Sequence, residues 1–160
     1  MPPVEIDHLN SLKQWEGREL PATDWLVLTQ DRIQKFAEAT EDHQWIHLDP
    51  DRARRESPFG GAIAHGFLTL SLLSYWMKQA IHIRSGVAMA VNYGLNKVRF
   101  PSPVHADSRV RARVTLVDTK ESLEFVDATF LIHVENRSVE SQTSGKPCCV
   151  AEWLVRYYSQ

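Results

Sequence analysis

The sequence lacks most of the features that mark secreted, membrane-spanning or nucleic-acid-binding proteins. Its 160 residues include only two cysteines, adjacent at positions 148 and 149, so a disulfide framework is excluded and a reduced compartment is indicated. The 18 lysines and arginines stand against 20 acidic residues, and the net charge of −2 gives no basic surface for nucleic acid or an anionic membrane. The N-terminal segment lacks the basic start and apolar core of a signal peptide. We therefore expect a cytoplasmic protein with no nucleic-acid or membrane partner.

The composition is that of an ordinary globular protein. Hydrophobic residues make up 43% of the chain and charged residues 24%. A chain of this length fits one domain, since domains usually hold roughly 100 to 150 residues. The sequence contains no internal repeat, low-complexity tract or linker. We expect residues 1–160 to form a single domain.

Two helices are predicted on either side of a loop that carries several titratable residues. Thr29 is a suitable N-cap for a helix from about 30 to 39, where apolar residues recur at helical spacing. Asp49 followed by Pro50 predicts a second N-cap and a short helix to about residue 56. Residues 40–48 show no periodicity, so this segment is predicted to be a loop held between the two helices.

A third, longer helix is predicted after the glycines at positions 60 and 61. Apolar residues occur on all sides between about 63 and 81, a pattern typical of a buried helix. Polar residues within the run argue against a membrane span. A helix of ~16 residues would be about 24 Å long, the width of a small domain. We expect a sheet to be wrapped around it.

The rest of the chain supplies strands for that sheet. Alternating apolar residues predict a strand from about 89 to 100, and a change of phase predicts a bulge near Asn96 or Lys97. Further alternation is found over 109–116, 128–134 and 149–157, and a short strand is possible at 25–28. The polar segment 136–147 is predicted to be a turn or hairpin loop. This order of elements favours an α+β fold, with an antiparallel sheet around one central helix.

The loop offers a candidate acid/base pair, Asp42 and His47. Taken alone, a loop aspartate is most often a turn former, and a single histidine is most often a hydrogen-bonding residue. The pair gains weight because it lies between two helices and precedes the start of the buried helix. The first N–H groups of that helix, near His65 and Gly66, could stabilise negative charge on a ligand. Alternatively, Gly66 serves only close packing against the sheet.

Other chemistries have less support. The His and Asp residues of this region lack a tight metal motif such as H-E-x-x-H, and no G-x-S-x-G, GxGxxG or P-loop motif is present. Lys97 and Arg99, beside the predicted bulge, are candidates to contact a phosphate-bearing ligand. For Arg109, Arg111 and Arg113, a solvated sheet face is the better interpretation.

The segments EDHQWIHLD and FGGAIAHGFLTLSLLS resemble the signature of the MaoC-like dehydratases, the (R)-specific enoyl-CoA hydratases of the hot-dog fold. The family's usual form is G-D-x-N-P-[IL]-H followed by a helix start I-[AV]-H-G-[ML]. The segment YGLNKVRFPSPV resembles the family's next strand. The resemblance implies a long helix wrapped by an antiparallel sheet, and a homodimer.

The resemblance also implies roles for individual residues. It makes Asp42 and His47 the catalytic dyad and gives the backbone N–H of Gly66 the role of oxyanion donor. It places Ser74 near the substrate. We also expect Gln44, Trp45 and His65 to contact the substrate, together with the phosphate candidates Lys97 and Arg99. The implied reaction is reversible hydration of a trans-2-enoyl thioester to the (R)-3-hydroxyacyl product, with acyl-CoA or an acyl-carrier-protein thioester as substrate and with no cofactor or metal.

The chain departs from the family pattern at three loop positions. Glu41 replaces the motif glycine, Gln44 the asparagine and Trp45 the proline, a variation that resembles the NodN-like branch of the family. Two alternatives are open. One is an acyl-thioester hydrolase on the same fold. The other, suggested by the altered loop, is a non-catalytic acyl-CoA-binding or signalling module.

Overall fold

The structure is a computed structural model that describes residues 2–137 and 146–160. Within them, short elements come first and long strands follow. The α-helices are α1 (Gln30–Thr40), α2 (Trp45–Leu48), α3 (Pro50–Glu56), α4 (Gly66–Ser71) and α5 (Leu73–Ala80), and a 3₁₀ helix spans Leu9–Trp15. The strands are β1 (Val4–Ile6), β2 (Leu26–Val27), β3 (Ile81–Ile83), β4 (Val87–Arg99), β5 (Arg109–Glu121), β6 (Phe125–Arg137) and β7 (Cys149–Ser159).

Five of these strands form an antiparallel sheet in the order β2-β5-β6-β7-β4. Its apolar face packs on the pair α4 and α5, because alternate residues of β5, β6 and β7 join helix residues such as Leu68, Leu72 and Trp76 in one buried cluster. A second, two-stranded sheet pairs β1 with β3 in parallel. The predicted α+β hot-dog architecture, an antiparallel sheet around a central helix, is confirmed.

The helices predicted on either side of the titratable loop are also confirmed. Thr29 caps α1, and its hydroxyl oxygen accepts a hydrogen bond of 3.2 Å from the N–H of Arg32. Asp49 caps α3 in the same way, with 2.9 Å between its Oδ1 and the N–H of Arg52. Both caps satisfy donors that would otherwise lack a partner at a helix start.

The central helix differs from its prediction in two respects. It is interrupted at Leu72, whose N–H bonds to the carbonyl of Thr69, three residues back, as in a 3₁₀ turn. It is also not buried on all sides, since the side chain of Phe67 is 68% exposed and Tyr75 is exposed as well. An apolar sequence on every face therefore did not mean burial on every face within one chain.

Two predictions about irregular segments have different outcomes. The predicted loop over residues 40–48 is wrong for its second half, because Trp45–Leu48 form the one-turn helix α2. A single turn is too short for its periodicity to be recognised in the sequence. The predicted bulge is confirmed, since the register of β4 on β7 shifts between Leu95 and Lys97.

The predicted turn at 136–147 lies largely outside the described residues, although β6 continues to Arg137. No helix in the described part of the chain is long and apolar enough to cross a membrane. The single domain over residues 1–160 stays a prediction.

Candidate active site

The first element of the site is the turn that carries Asp42. Helix α1 ends at Thr40, and Glu41 adopts a left-handed backbone conformation with φ of 60°. This conformation favours glycine, which explains the glycine in the usual motif. The turn exposes about half of the Asp42 side chain, whose relative accessibility is 54%. The carboxylate is thus open to a ligand.

His47 lies on α2 and is buried. Its Nδ1 is 2.6 Å from the carbonyl oxygen of Ile63. A carbonyl can only accept, so Nδ1 carries the proton and Nε2 of the neutral ring keeps its lone pair. Burial lowers the pKa of His47, and the hydrogen bond to Ile63 opposes that change. His47 is therefore a neutral imidazole with a free basic nitrogen, as a general base requires.

His65 lies against His47 at the start of α4. The two rings are stacked, with 3.7 Å between centroids and 28° between planes. Nε2 of His65 is 3.0 Å from the backbone oxygen of Asp42 and 3.9 Å from its carboxylate. The tertiary structure thus joins a loop, a helix and a helix start that lie far apart in the sequence.

Asp42, His47 and His65 each present a potential metal ligand, and these atoms lie within 4.8 Å of one another. The arrangement nevertheless suits a metal poorly. Histidine lone pairs lie in the ring plane, so two ring planes must meet at a shared ion. The stacked rings of His47 and His65 run side by side instead. The geometry suits proton transfer better than metal ligation.

Gly66 is the first residue of α4, where N–H groups have no acceptor within the helix. A Cβ at this position would lie 3.0 Å from ring atoms of Phe100. Close packing against Phe100 therefore requires the glycine, in agreement with the structural alternative. A packing role for Gly66 is compatible with a role for its N–H group in binding negative charge. The ring of Phe100 lies where a Cβ would be, and the N–H of Gly66 still has no acceptor within the helix.

A cavity of about 320 Å³ borders Gly66. One wall comes from the segment that leads into α4 and from α4 itself, and the other from the chain after β4. Its lining includes Ile63, Ala64, Gly66, Thr69, Phe100 and Pro103. This volume is at the lower end of the range for small-molecule pockets, roughly 300 to 1,000 Å³.

Two other predicted substrate residues lie on the loop after α1 and on α2. Gln44 is exposed, precedes α2, and its carbonyl accepts the N–H of His47 at 3.0 Å. The ring of Trp45 is covered by the guanidinium of Arg52 at 4.3 Å.

The remaining predicted residues lie elsewhere. Ser74 is on α5, 3.4 Å from the side chain of Asn92, in a groove of about 270 Å³ between α5 and strands β4 and β7. Lys97 and Arg99 are exposed on β4. The structure thus brings together Asp42, His47 and His65, with Gly66 next in the chain. It places Ser74 on α5, and Lys97 and Arg99 on β4.

Sequence reasoning missed two contributors to the site. The carbonyl of Ile63 selects the tautomer of His47, and the ring of Phe100 covers Gly66. A backbone carbonyl has no sequence signature. Phe100 was assigned only to the end of a strand, and nothing in its sequence neighbours indicates contact with α4.

Comparison with known proteins now decides the family. The family model for the MaoC-like domain matches residues 12–136. The chain belongs to this family. It is 49% identical over 142 residues to 3-hydroxyacyl-thioester dehydratase Z of Mycobacterium tuberculosis, covering 88% of this chain and 89% of that protein. It is 43% identical over 147 residues to nodulation protein N of Rhizobium meliloti, covering 92% and 89%.

A solved structure supports the fold. The (R)-hydratase from A. caviae involved in PHA biosynthesis superimposes with a TM-score of 0.64 at 24% identity, covering 85% of this MaoC-like chain and 96% of that chain. The predicted family, its NodN-like relatives and the hydro-lyase class of enzyme are confirmed by these comparisons.

Proposed function

We propose that this MaoC-like protein catalyses reversible hydration of a trans-2-enoyl thioester to the (R)-3-hydroxyacyl thioester. The observation that carries the proposal is that His47 is buried with its proton held on Nδ1, and that one of its ring nitrogens lies within 4.8 Å of a carboxylate oxygen of Asp42. The names of the relatives, which include a 3-hydroxyacyl-thioester dehydratase, support this class of substrate.

In the proposed reaction, Asp42 and His47 hold one water molecule between them. Nε2 of His47 takes a proton from the water, and the oxygen adds to C3 of the enoyl group. The proton held by His47 then passes by way of the Asp42 carboxylate to C2, so that OH is added to C3 and H to C2, and both residues return to their starting protonation states. The lowered pKa of His47 keeps the base unprotonated near neutral pH. Dehydration is the same sequence in reverse.

Negative charge develops on the thioester oxygen during this addition. We assign its stabilisation to the N–H of Gly66, a donor effect worth about 3 to 4 kcal/mol in comparable sites. Helix α4 has only six residues, so the N–H group itself, rather than the dipole of a long helix, is the source of this effect.

The predicted binding residues are assigned to parts of the substrate away from the reacting carbons. Gln44 is exposed at the end of the loop and Trp45 is the first residue of α2, so both lie between Asp42 and His47 in the chain. The groove that contains Ser74 is mostly apolar and includes Met77 and Trp153, which suits an acyl chain. Lys97 and Arg99 are exposed cations on β4 that suit the phosphates of CoA or of a carrier protein's prosthetic group.

We further propose that the protein is a homodimer that pairs through β4. This strand is at the edge of the sheet, so one side of its backbone has no neighbouring strand within the chain. Met89 and Tyr93 on β4 are 55% and 54% exposed, and Phe67 on α4 adds to this apolar surface. A second copy, with the same edge and the same apolar residues, would cover both features.

The predicted cytoplasmic location remains a proposal. Its support is that Cys148 and Cys149 are both free thiols.

The test is to follow the absorbance of crotonyl-CoA and longer enoyl-CoA thioesters with the purified protein. Asp42→Asn and His47→Gln keep the side-chain size and should each lower kcat by about 10²- to 10⁴-fold, the contribution of a positioned acid or base. His43→Gln is the matched control, because His43 lies on the same loop but contacts only Glu41 among the described side chains. An (R)-specific dehydrogenase should consume the product.

Wild-type rates in both dyad variants would refute the assignment of Asp42 and His47. Release of free thiol without a hydroxyacyl product would identify a thioester hydrolase instead. Binding without turnover at any chain length would identify a non-catalytic module.

A further inference from the structure

His65 contacts both residues of the proposed dyad, Asp42 and His47, but is almost inaccessible to a substrate. Its side chain is only 3% exposed. The ring stacks on His47, and the ring of Phe36 lies nearby, with 5.0 Å between centroids and 52° between planes. Its Nε2 donates to the backbone oxygen of Asp42, and its own carbonyl accepts the N–H groups of Leu68 and Thr69 at the start of α4.

We propose that His65 is a positioning residue, which fixes Asp42 and His47 relative to each other and acts on the reaction only through them. The inference rests on the proposed function for its kinetic consequences. For its structural ones it rests on the stacking with His47 and the hydrogen bond to Asp42.

The ring nitrogens of His65 show how it holds the site. Because the carbonyl of Asp42 can only accept, Nε2 of His65 must carry a proton. Nδ1 is buried and has no hydrogen-bond partner among the described residues. A buried polar atom without a partner destabilises a fold, and a phenylalanine would fill the same space without it. A histidine at this position is therefore explained by the hydrogen bond that it donates.

That hydrogen bond restrains an exposed segment of the chain. Asp42 lies on an exposed loop directly after the left-handed residue Glu41, and its carboxylate is half exposed. The bond from His65 ties the backbone of Asp42 to the same ring that stacks on His47. The separation of the carboxylate and Nε2 of His47 is then set by one buried side chain, and a shift of about 1 Å in such a separation can cost about 10²-fold in rate.

His65 also affects the charge on His47. The titratable groups that face the His47 ring are Asp42 from the loop and His65 from the start of α4. Burial is the main cause of the lowered pKa of His47, a nearby His65 lowers it further, and Asp42 raises it. Removal of the His65 imidazole should therefore raise the pKa of His47.

His65→Phe keeps the ring and its stacking but removes the hydrogen bond to Asp42. We expect its kcat to fall by about 100-fold, with KM changed by less than about threefold, because the substrate does not touch this side chain. His65→Gln keeps an N–H donor that can reach the Asp42 carbonyl, so it should recover about tenfold of this loss. The acidic limb of the kcat/KM profile of His65→Phe should move to higher pH. His43→Gln should leave both readouts unchanged.

Nuclear magnetic resonance titration of the His47 ring tests the same inference without a substrate. The pKa of His47 should rise in His65→Phe relative to the wild-type protein. A fall in kcat with an unchanged His47 titration would show that His65 contributes packing only, and would overturn the proposal, as would a kcat within about twofold of wild type. If the wild-type protein hydrates no enoyl thioester, the proposed function fails, and the titration still decides whether His65 acts on His47.

Discussion

Strands β4 and β6 are each 13 residues long and belong to the same sheet, yet their surroundings differ completely. In β6 every second residue from Val126 to Val134 is buried, because β5 and β7 cover both edges and the helix pair covers one face. Most of β4 is exposed along its whole length, including its apolar residues. The difference teaches that apolar alternation identifies a strand but does not tell whether its own chain buries it. The covered strands β5, β6 and β7 contribute most of the sheet's buried core, whereas β4 leaves apolar side chains exposed to solvent.

The largest expected effect is the difference in the free energy of unfolding between a substitution on β6 and one on β4. Phe130→Ala on β6 removes a fully buried ring and should lower the free energy of unfolding by about 3 to 5 kcal/mol. Met89→Ala on β4 should lower it by less than about 1 kcal/mol, since its side chain is exposed within the chain. Denaturant titration at low protein concentration measures both. Equal losses would mean that β4 is as well buried as β6.

The second prediction tests what covers β4. Leu95→Asp places a charge in the proposed apolar interface and should weaken self-association by about 100-fold. Sedimentation over a range of protein concentrations measures the change. Val117→Asp on β5 is the control, because Val117 has similar exposure but lies away from the β4 edge. A dimer that survives Leu95→Asp would show that another surface is used, and a wild-type monomer at all concentrations would remove the proposal.

The third prediction extends the contrast from the sheet to the loop that carries Asp42, which is also exposed to solvent. Glu41 has a positive φ of 60°, which glycine adopts without strain, so Glu41→Gly should stabilise the protein by about 0.5 to 1 kcal/mol. Gly60→Ala is the reverse change, at φ of 72° with no atom near the new Cβ, and should cost about 1 kcal/mol. Thermal unfolding compares them. A loss of stability in Glu41→Gly would show that the Glu41 side chain contributes more than its conformation costs.

The smallest effect concerns His47, a buried titratable group of the candidate site. The folded pKa of His47 lies below its unfolded value, so the unfolded chain binds more protons as pH falls below about 6.5. The free energy of unfolding is therefore unaffected by the titration of His47 above that pH, and it decreases as the pH falls below it. His47→Gln should reduce the loss of stability between neutral and mildly acidic pH, whereas His43→Gln should not. Equal slopes in both variants would contradict the lowered pKa.

Much of the fold could be predicted because its signals are local. Thr29 and Asp49 cap helices through their own side chains, and alternation along β5, β6 and β7 follows from a sheet with one covered face. The break at Leu72 and the one-turn helix that carries His47 were missed. Both depend on a single hydrogen bond or turn, which sequence periodicity does not resolve.

The candidate site, like the fold, was predictable from the sequence only in part. The sequence by itself determined which residues could transfer protons, Asp42 and His47, because the chemistry belongs to their side chains and the motif keeps them five positions apart. Only the tertiary structure decided that the carbonyl of Ile63 sets the His47 tautomer, that His65 stacks beneath it, and that Phe100 covers Gly66. These contacts join segments that are distant in the chain. They exist because packing of α4 and α5 against the sheet brings those segments together, and no local pattern in the sequence records that approach.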